Sequence, residues 1–188
     1  MPRSALLTGA LILSLLAAPL AVPATAQAPA RPTAPAPARP AVAAAGPRAV
    51  GTFGAWTAAL HTENGARVCY MLARANREGS PPNAPTLTVS HRTGARDQVA
   101  FQGEGLRFQR NAAGTLKVGD NDLALYTHGD TAYARDNRAA IQAMRGGREA
   151  VARLPGPNGR GTASETFPLN GFSAAYEAIG RECPAPRR

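Results

Sequence analysis

From residue 51 onward, apolar positions recur with a period of two in short runs, each run broken by turn residues. Thr86–Arg92 sets Leu87, Val89 and His91 against Thr86, Thr88 and Ser90, the alternation of a strand with one face buried. Trp56–Leu60 and Arg67–Arg74 flank Glu63-Asn64-Gly65, and Asn-Gly favours the left-handed turn of a hairpin. Gln98–Gln102 and Leu106–Arg110 follow, separated by Gly103 and Gly105, and Thr115–Val118 and Leu123–Thr127 bracket the turn Gly119-Asp120-Asn121-Asp122. Glu149–Leu154 and Ala163–Pro168 are joined by Pro155-Gly156-Pro157-Asn158-Gly159-Arg160-Gly161, a loop that no helix survives.

Two segments change period. Asp136 is placed to cap a helix over Asn137–Arg145, with Ala140, Ile141 and Met144 on one face and Gly146-Gly147 ending it. A second helix starts at Asn170 or Ser173 and runs to Glu182, with Phe172, Tyr176 and Ile179 at helical spacing. The pattern predicts a mainly β domain, a β-sandwich or small barrel with two short helices packed at an edge or end, the last at the C-terminus.

Ahead of this domain the pattern is different. Met1-Pro2-Arg3 is a short positive start, Ala5–Ala18 is largely apolar, and Ala24-Thr25-Ala26 offers the small residues that a signal peptidase reads. Residues 1–26 therefore read as a cleaved signal peptide; the apolar run is too short and wrongly flanked for a membrane anchor, and no Cys follows it to take a lipid. Residues 27–50, rich in Ala and Pro and without aromatics, read as an extended disordered spacer. Every aromatic residue, from Phe53 to Tyr176, and both cysteines fall in residues 51–188, which form the single β-rich domain.

The net charge of +9 invites a nucleic-acid reading until it is located. Arg3, Arg31, Arg39, Arg48, Arg187 and Arg188 lie in the signal, spacer and tail; without them 15 basic side chains face 12 acidic ones in the domain. Those arginines are scattered, so no nucleic-acid partner is expected, only a weak attraction of spacer and tail to anionic surfaces. Two cysteines in an exported chain make one disulfide, Cys69–Cys183, the simplest reading. Closing so long a loop constrains the unfolded chain by about 4–5 kcal/mol. The alternative is a pair of free thiols, one reactive; no CxxC pattern supports it, and Cys69 sits in an apolar run that disfavours a thiolate.

Four stretches carry a resemblance. They are Phe53-Gly54-Ala55-Trp56, Val68-Cys69-Tyr70, Gly129-Asp130-Thr131-Ala132-Tyr133-Ala134 with the helix end Ala143–Gly147, and Phe167-Pro168-Leu169-Asn170-Gly171-Phe172-Ser173-Ala174-Ala175. In that order they resemble the invasion-associated locus B family of exported proteobacterial envelope proteins. The resemblance implies a β-rich periplasmic or outer-surface protein, linked in some pathogens to host-cell entry, and brings no catalytic residues. Where many members carry a further Cys soon after the Trp this chain has Leu60, and the family's Gly-Cys is absent near Gly129-Asp130.

Candidate chemistry is thin. His61, His91 and His128 are spaced unlike any helical metal motif and could bind metal only by converging from separate strands, so no metal or cofactor is expected. Ser90 and His91 are adjacent, hence on opposite faces of a strand, and no GxSxG elbow is present. Asp120 with Asp122 and Asp130 with Asp136 are carboxylate pairs of the kind a glycosidase needs, but turn and cap roles explain them as well. The glycines of 156–161 lack the setting of a phosphate loop. No catalytic residue is assigned; as partner contacts Arg160, Tyr133 and Trp56 would be the choices. The function these features imply is a non-enzymatic exported module, periplasmic or surface-associated, that binds an envelope or host-surface macromolecule. The alternatives are a small periplasmic hydrolase or ligand-binding protein with a site assembled from separated strands, and a structural or stress-protective protein.

Overall fold

The computed structural model describes residues 46–79, 82–103, 108, 111–156 and 161–185. The expected signal peptide, most of the spacer, the strand Leu106–Arg110 apart from Phe108, and Arg160, Arg187 and Arg188 lie outside the described residues. The elements are β1 (Arg48–Phe53), β2 (Trp56–Glu63), β3 (Ala66–Arg74), β4 (Thr86–Arg92), β5 (Ala95–Gln102), β6 (Ala113–Val118), β7 (Asn121–His128), β8 (Thr131–Ala134), α1 (Asn137–Gly146), β9 (Glu149–Pro155), β10 (Thr162–Pro168) and α2 (Phe172–Glu182). The fold is mainly β with two helices, the second at the C-terminus. Where the sequence left a sandwich or a barrel open, the strands form one antiparallel sheet in the order β1-β2-β3-β4-β5-β8-β7-β6-β9-β10.

Local chemistry explains most element ends. Asn64 and Gly65 both take positive φ, 51° and 79°, as a two-residue hairpin turn requires. Asp136 caps α1 by accepting the backbone N–H of Ala139 at 2.9 Å, and Ala140, Ile141 and Met144 face the core. β1 reaches three residues back into the stretch expected to be spacer, held by pairing with β2 (Phe53 opposite Trp56) and not by any apolar pattern of its own.

One face of the sheet is buried under the helices. It carries Trp56 and Ala58 of β2, Met71 and Ala73 of β3, Leu87 and Val89 of β4, and small residues on β8 and β9 such as Ala132, Ala134 and Ala152. Period-two alternation sends the intervening side chains outward. The sheet curls on this inner face. Phe101 of β5 meets Phe167 of β10 with ring centroids 5.7 Å apart, although four strands lie between them. Where the curl brings β10 to the segment after β3, the Asn76 N–H donates to the Thr166 carbonyl at 2.7 Å, and Arg77 pairs with the buried carboxylate of Glu165.

The second helix starts from neither Asn170 nor Ser173. Its cap is Gly171, left-handed at φ 88°, with the first helical residue at Phe172. A Cβ at Gly171 would lie 1.9 Å from the Phe53 carbonyl oxygen, and one at Gly54 would lie 2.6 Å from the Asn170 carbonyl oxygen. The β1–β2 turn and the turn into α2 thus cross in direct backbone contact, tied by the Ala55 N–H donating to the Asn170 carbonyl at 3.2 Å. Glycine is needed for both the conformation and the space. Gly171→Ala should therefore destabilise the fold by about 3 kcal/mol or more. Urea unfolding measures this, and a cost under about 1 kcal/mol would refute the contact.

Candidate functional site

Three features offer chemistry: a polar cluster under α2, a cavity beside the cysteine pair, and the outer face of the sheet.

The cluster begins at the β4–β5 hairpin. His91, 2% exposed, stands directly across from Cys69 of β3 and faces inward. Its Nδ1 accepts the Asp97 N–H at 3.3 Å, its ring meets Tyr176 edge-on at 5.4 Å, and the Tyr176 hydroxyl donates to Asp97 Oδ1 at 2.6 Å. Asp97 holds a left-handed backbone, φ 62°, to make these contacts. Burial, reinforced by the nearby Arg96 guanidinium, pushes the His91 imidazole below its usual range, so it is neutral at pH 7. Burial and the hydrogen bond to Asp97 push the Tyr176 hydroxyl up to about 12, which keeps it a donor. Its Nδ1 being an acceptor, neutral His91 carries its proton on Nε2, which is buried without a hydrogen-bond partner among the described residues.

Cys69 and Cys183 lie at disulfide distance at the far end of α2, with Cα atoms 6.0 Å apart and 114 residues between them. Arg96 donates to the Cys183 carbonyl, and Arg67 to the Glu182 carbonyl at 3.3 Å. Beside them opens a cavity of about 570 Å³. Hydrolytic chemistry needs a nucleophile within reach of a base. Ser90 projects from the opposite face to His91, Cys69 lies at disulfide distance from Cys183, and Tyr176, bonded to Asp97 and edge-on to His91, seats α2 on the β4–β5 hairpin.

The remaining sequence candidates separate. His61 faces outward on β2, edge-on to Tyr70 at 5.4 Å, and His128 is exposed at the end of β7. No group of three or more His, Cys, Asp or Glu side chains is arranged to hold a metal among the described residues. Asp122 lies 3.5 Å from Lys117 Nζ, and Asp130 accepts from Thr131 Oγ1 at 3.1 Å. Trp56, considered above as a partner contact, is fully buried: its Nε1 donates to the Pro168 carbonyl at 3.0 Å and its ring meets Phe172 edge-on at 5.1 Å. A Trp that opens a strand on the core side is consumed by packing.

Tyr133, by contrast, is half-buried on the outer face. It stacks on Tyr126 of β7 at 5.5 Å, and Arg135 lies over the Tyr126 ring at 5.4 Å. Strand register places Tyr133 in one row with Ala100, Thr88 and Leu72, beside a row of Gln98, Ser90 and Tyr70. Small residues between two tyrosine ledges leave a trough of about 200 Å³. Alternation makes each of these residues readable as outward-facing, but their meeting depends on the pairing of β5 with β8, which skips two strands.

An all-antiparallel curled sheet with two helices against its inner face defines a mainly β protein. The chain belongs to the family described as invasion associated locus B (IalB) protein, whose profile matches residues 56–180. Among solved structures, the invasion associated protein b of Bartonella henselae shares the fold with a TM-score of 0.55 at 16% sequence identity, covering 70% of this chain and 95% of that one. Curated proteins give no match. None of the described helices is long and apolar enough to cross a membrane.

The His91 environment has a pH signature. Its depressed native-state pKa means that the unfolded chain takes up a proton first, so stability is full above about pH 6.5 and declines as the pH falls from there. The melting temperature should drop between pH 7 and pH 5.5, by up to about 1.4 kcal/mol of stability per pH unit. In His91→Gln this part of the slope should vanish; a wild-type profile flat over that window would contradict the burial.

Proposed function

We propose that this protein is an exported, non-enzymatic module of the bacterial envelope that binds a macromolecule of the envelope or of a host surface through the outer face of its sheet. One observation carries the reading. Of the stretches that mark the family resemblance, Phe53–Trp56 and Phe167–Phe172 cross in the clasp under α2 and Cys69 lies beneath the same helix, while the other two set Tyr70 and Tyr133 on the outer face. What the sequence leaves for a partner is the outward chemistry, where half-buried tyrosines stand among Thr, Ser and Gln.

Tyrosine is favoured at protein interfaces because it offers large rigid area with a polar tip. The signal-like residues 1–26 and the Ala/Pro-rich residues 27–50 support export and a module held on a tether. Export in turn supports an oxidised Cys69–Cys183 pair. The Bartonella henselae relative is an invasion associated protein, which supports a host-facing role as one form of this reading. A second reading, a small-ligand protein, is favoured by the cavity beside Cys183, where Arg67 and Arg96 offer charged donors.

Crosslinking in intact cells that express the protein, with mass spectrometry of captured species, tests the proposal. The expected result is a reproducible envelope or surface partner that is lost in Tyr70→Arg and Tyr133→Arg, outward substitutions that spare the core. Capture undiminished by both variants, or none at all, would overturn the outer-face assignment and favour the cavity.

A further inference from the structure

Resting on the outer-face reading, we infer that the trough between Tyr70 and Tyr133 is a subsite for an uncharged oligosaccharide of pyranose rings. Tyr70 stands on β3 and Tyr133 on β8, with β4 and β5 between them. Three strand spacings separate the two rings by about 14 Å across the sheet. That span suits a short chain of rings better than a single sugar.

The floor between them is low because it is built of Thr88, Ser90 and Ala100, paired across the strands. Tyr133 is backed by Tyr126 and Tyr70 is braced by His61, so both ledges are fixed before a ligand arrives. Preorganisation of this kind lowers the entropic cost of binding.

The chemistry of the lining selects the ligand class. A pyranose ring presents an apolar C–H face, which an aromatic ring can cover, and an equatorial rim of hydroxyls, which amide and hydroxyl side chains can bond. Both partners are present: the tyrosine faces, and Ser90, Gln98 and His61 as donors and acceptors along the trough. Charge argues against an anionic glycan. Arg92, the one arginine lining the trough among the described residues, is paired with Glu63, which offsets its charge toward a sialic acid or a sugar phosphate. An extended peptide would seek an open sheet edge, where backbone groups are free, and not the face of four paired strands.

The test is titration of the exported form of the full chain with chitotriose, followed by calorimetry or by shifts in the NMR spectrum. Sialyllactose serves as the anionic comparison and N-acetyllactosamine as a second neutral sugar. Saturable binding of chitotriose is expected, weakened about tenfold or more in Tyr133→Ala and in Tyr70→Ala. Tyr133→Phe keeps the ring and should stay within about threefold of wild type. Melting curves of each variant confirm that an outward substitution has left the fold intact.

Absence of saturable chitotriose binding at millimolar concentration would overturn the inference, as would binding that both alanine variants leave unchanged. Preference for sialyllactose would overturn the assignment to an uncharged sugar. If crosslinking captures a protein through Tyr70 and Tyr133 while no sugar binds, the outer face remains the functional surface and only the glycan assignment fails.

Discussion

The seating of α2 in the curl of the sheet is the constraint on which the other features depend. Under α2 the inner face mixes the small Ala58 and Ala73 with Trp56, Met71, Leu87 and Val89, and a curved sheet cannot fill its own concavity. Phe172, Ala175, Ala178 and Ile179 of α2 supply the missing volume. Each large side chain removed from water contributes about 2 kcal/mol, so the helix is integral to the core and not a decoration on its edge. Three ties then fix it along its length: the glycine clasp and Trp56 at its start, Tyr176 to Asp97 at its middle, and Cys183 against Cys69 at its end.

This arrangement divides the two faces of the sheet by role. The inner face takes His91 and Cys69, which sit under the helix. The His91–Asp97–Tyr176 cluster ties the helix to the β4–β5 hairpin, while Ser90 points to the opposite face. The outer face has no such duty. Its rows of tyrosine and small polar residues are set by register alone, and their side chains are available to a partner.

The sequence carried the local half of this account. Alternation located β4, Asn64-Gly65 located the β2–β3 hairpin, and Asp136 with Ala140, Ile141 and Met144 located α1, because each depends on neighbours within a few residues. β1 and β8 carry no such local signal, for the same reason in reverse. Arg48–Phe53 has no apolar pattern and Thr131–Ala134 is four residues of mostly small side chains, so both owe their strand state to partners elsewhere in the chain. The start of α2 was misplaced because Asn170 and Ser173 have the side chains of a cap, while the true cap, Gly171, is selected by a backbone 118 residues earlier in the chain, at Phe53. Non-local contact also explains the candidate site. Tyr133 could be named, but its meeting with Thr88 and Tyr70 required strand order, and Trp56 went from suspected contact to buried anchor once Pro168 and Phe172 closed over it.

Amide hydrogen exchange on the oxidised full chain tests the central claim, that α2 is part of the cooperative core. The account requires the amides of Ala175, Ala178 and Ile179 to exchange only through global unfolding, at the same free energy as Met71 and Val89 in the sheet. Exchange of those helix amides through a local opening several kcal/mol below that of the sheet would contradict it, and would make α2 a detachable element on a sheet that stands without it.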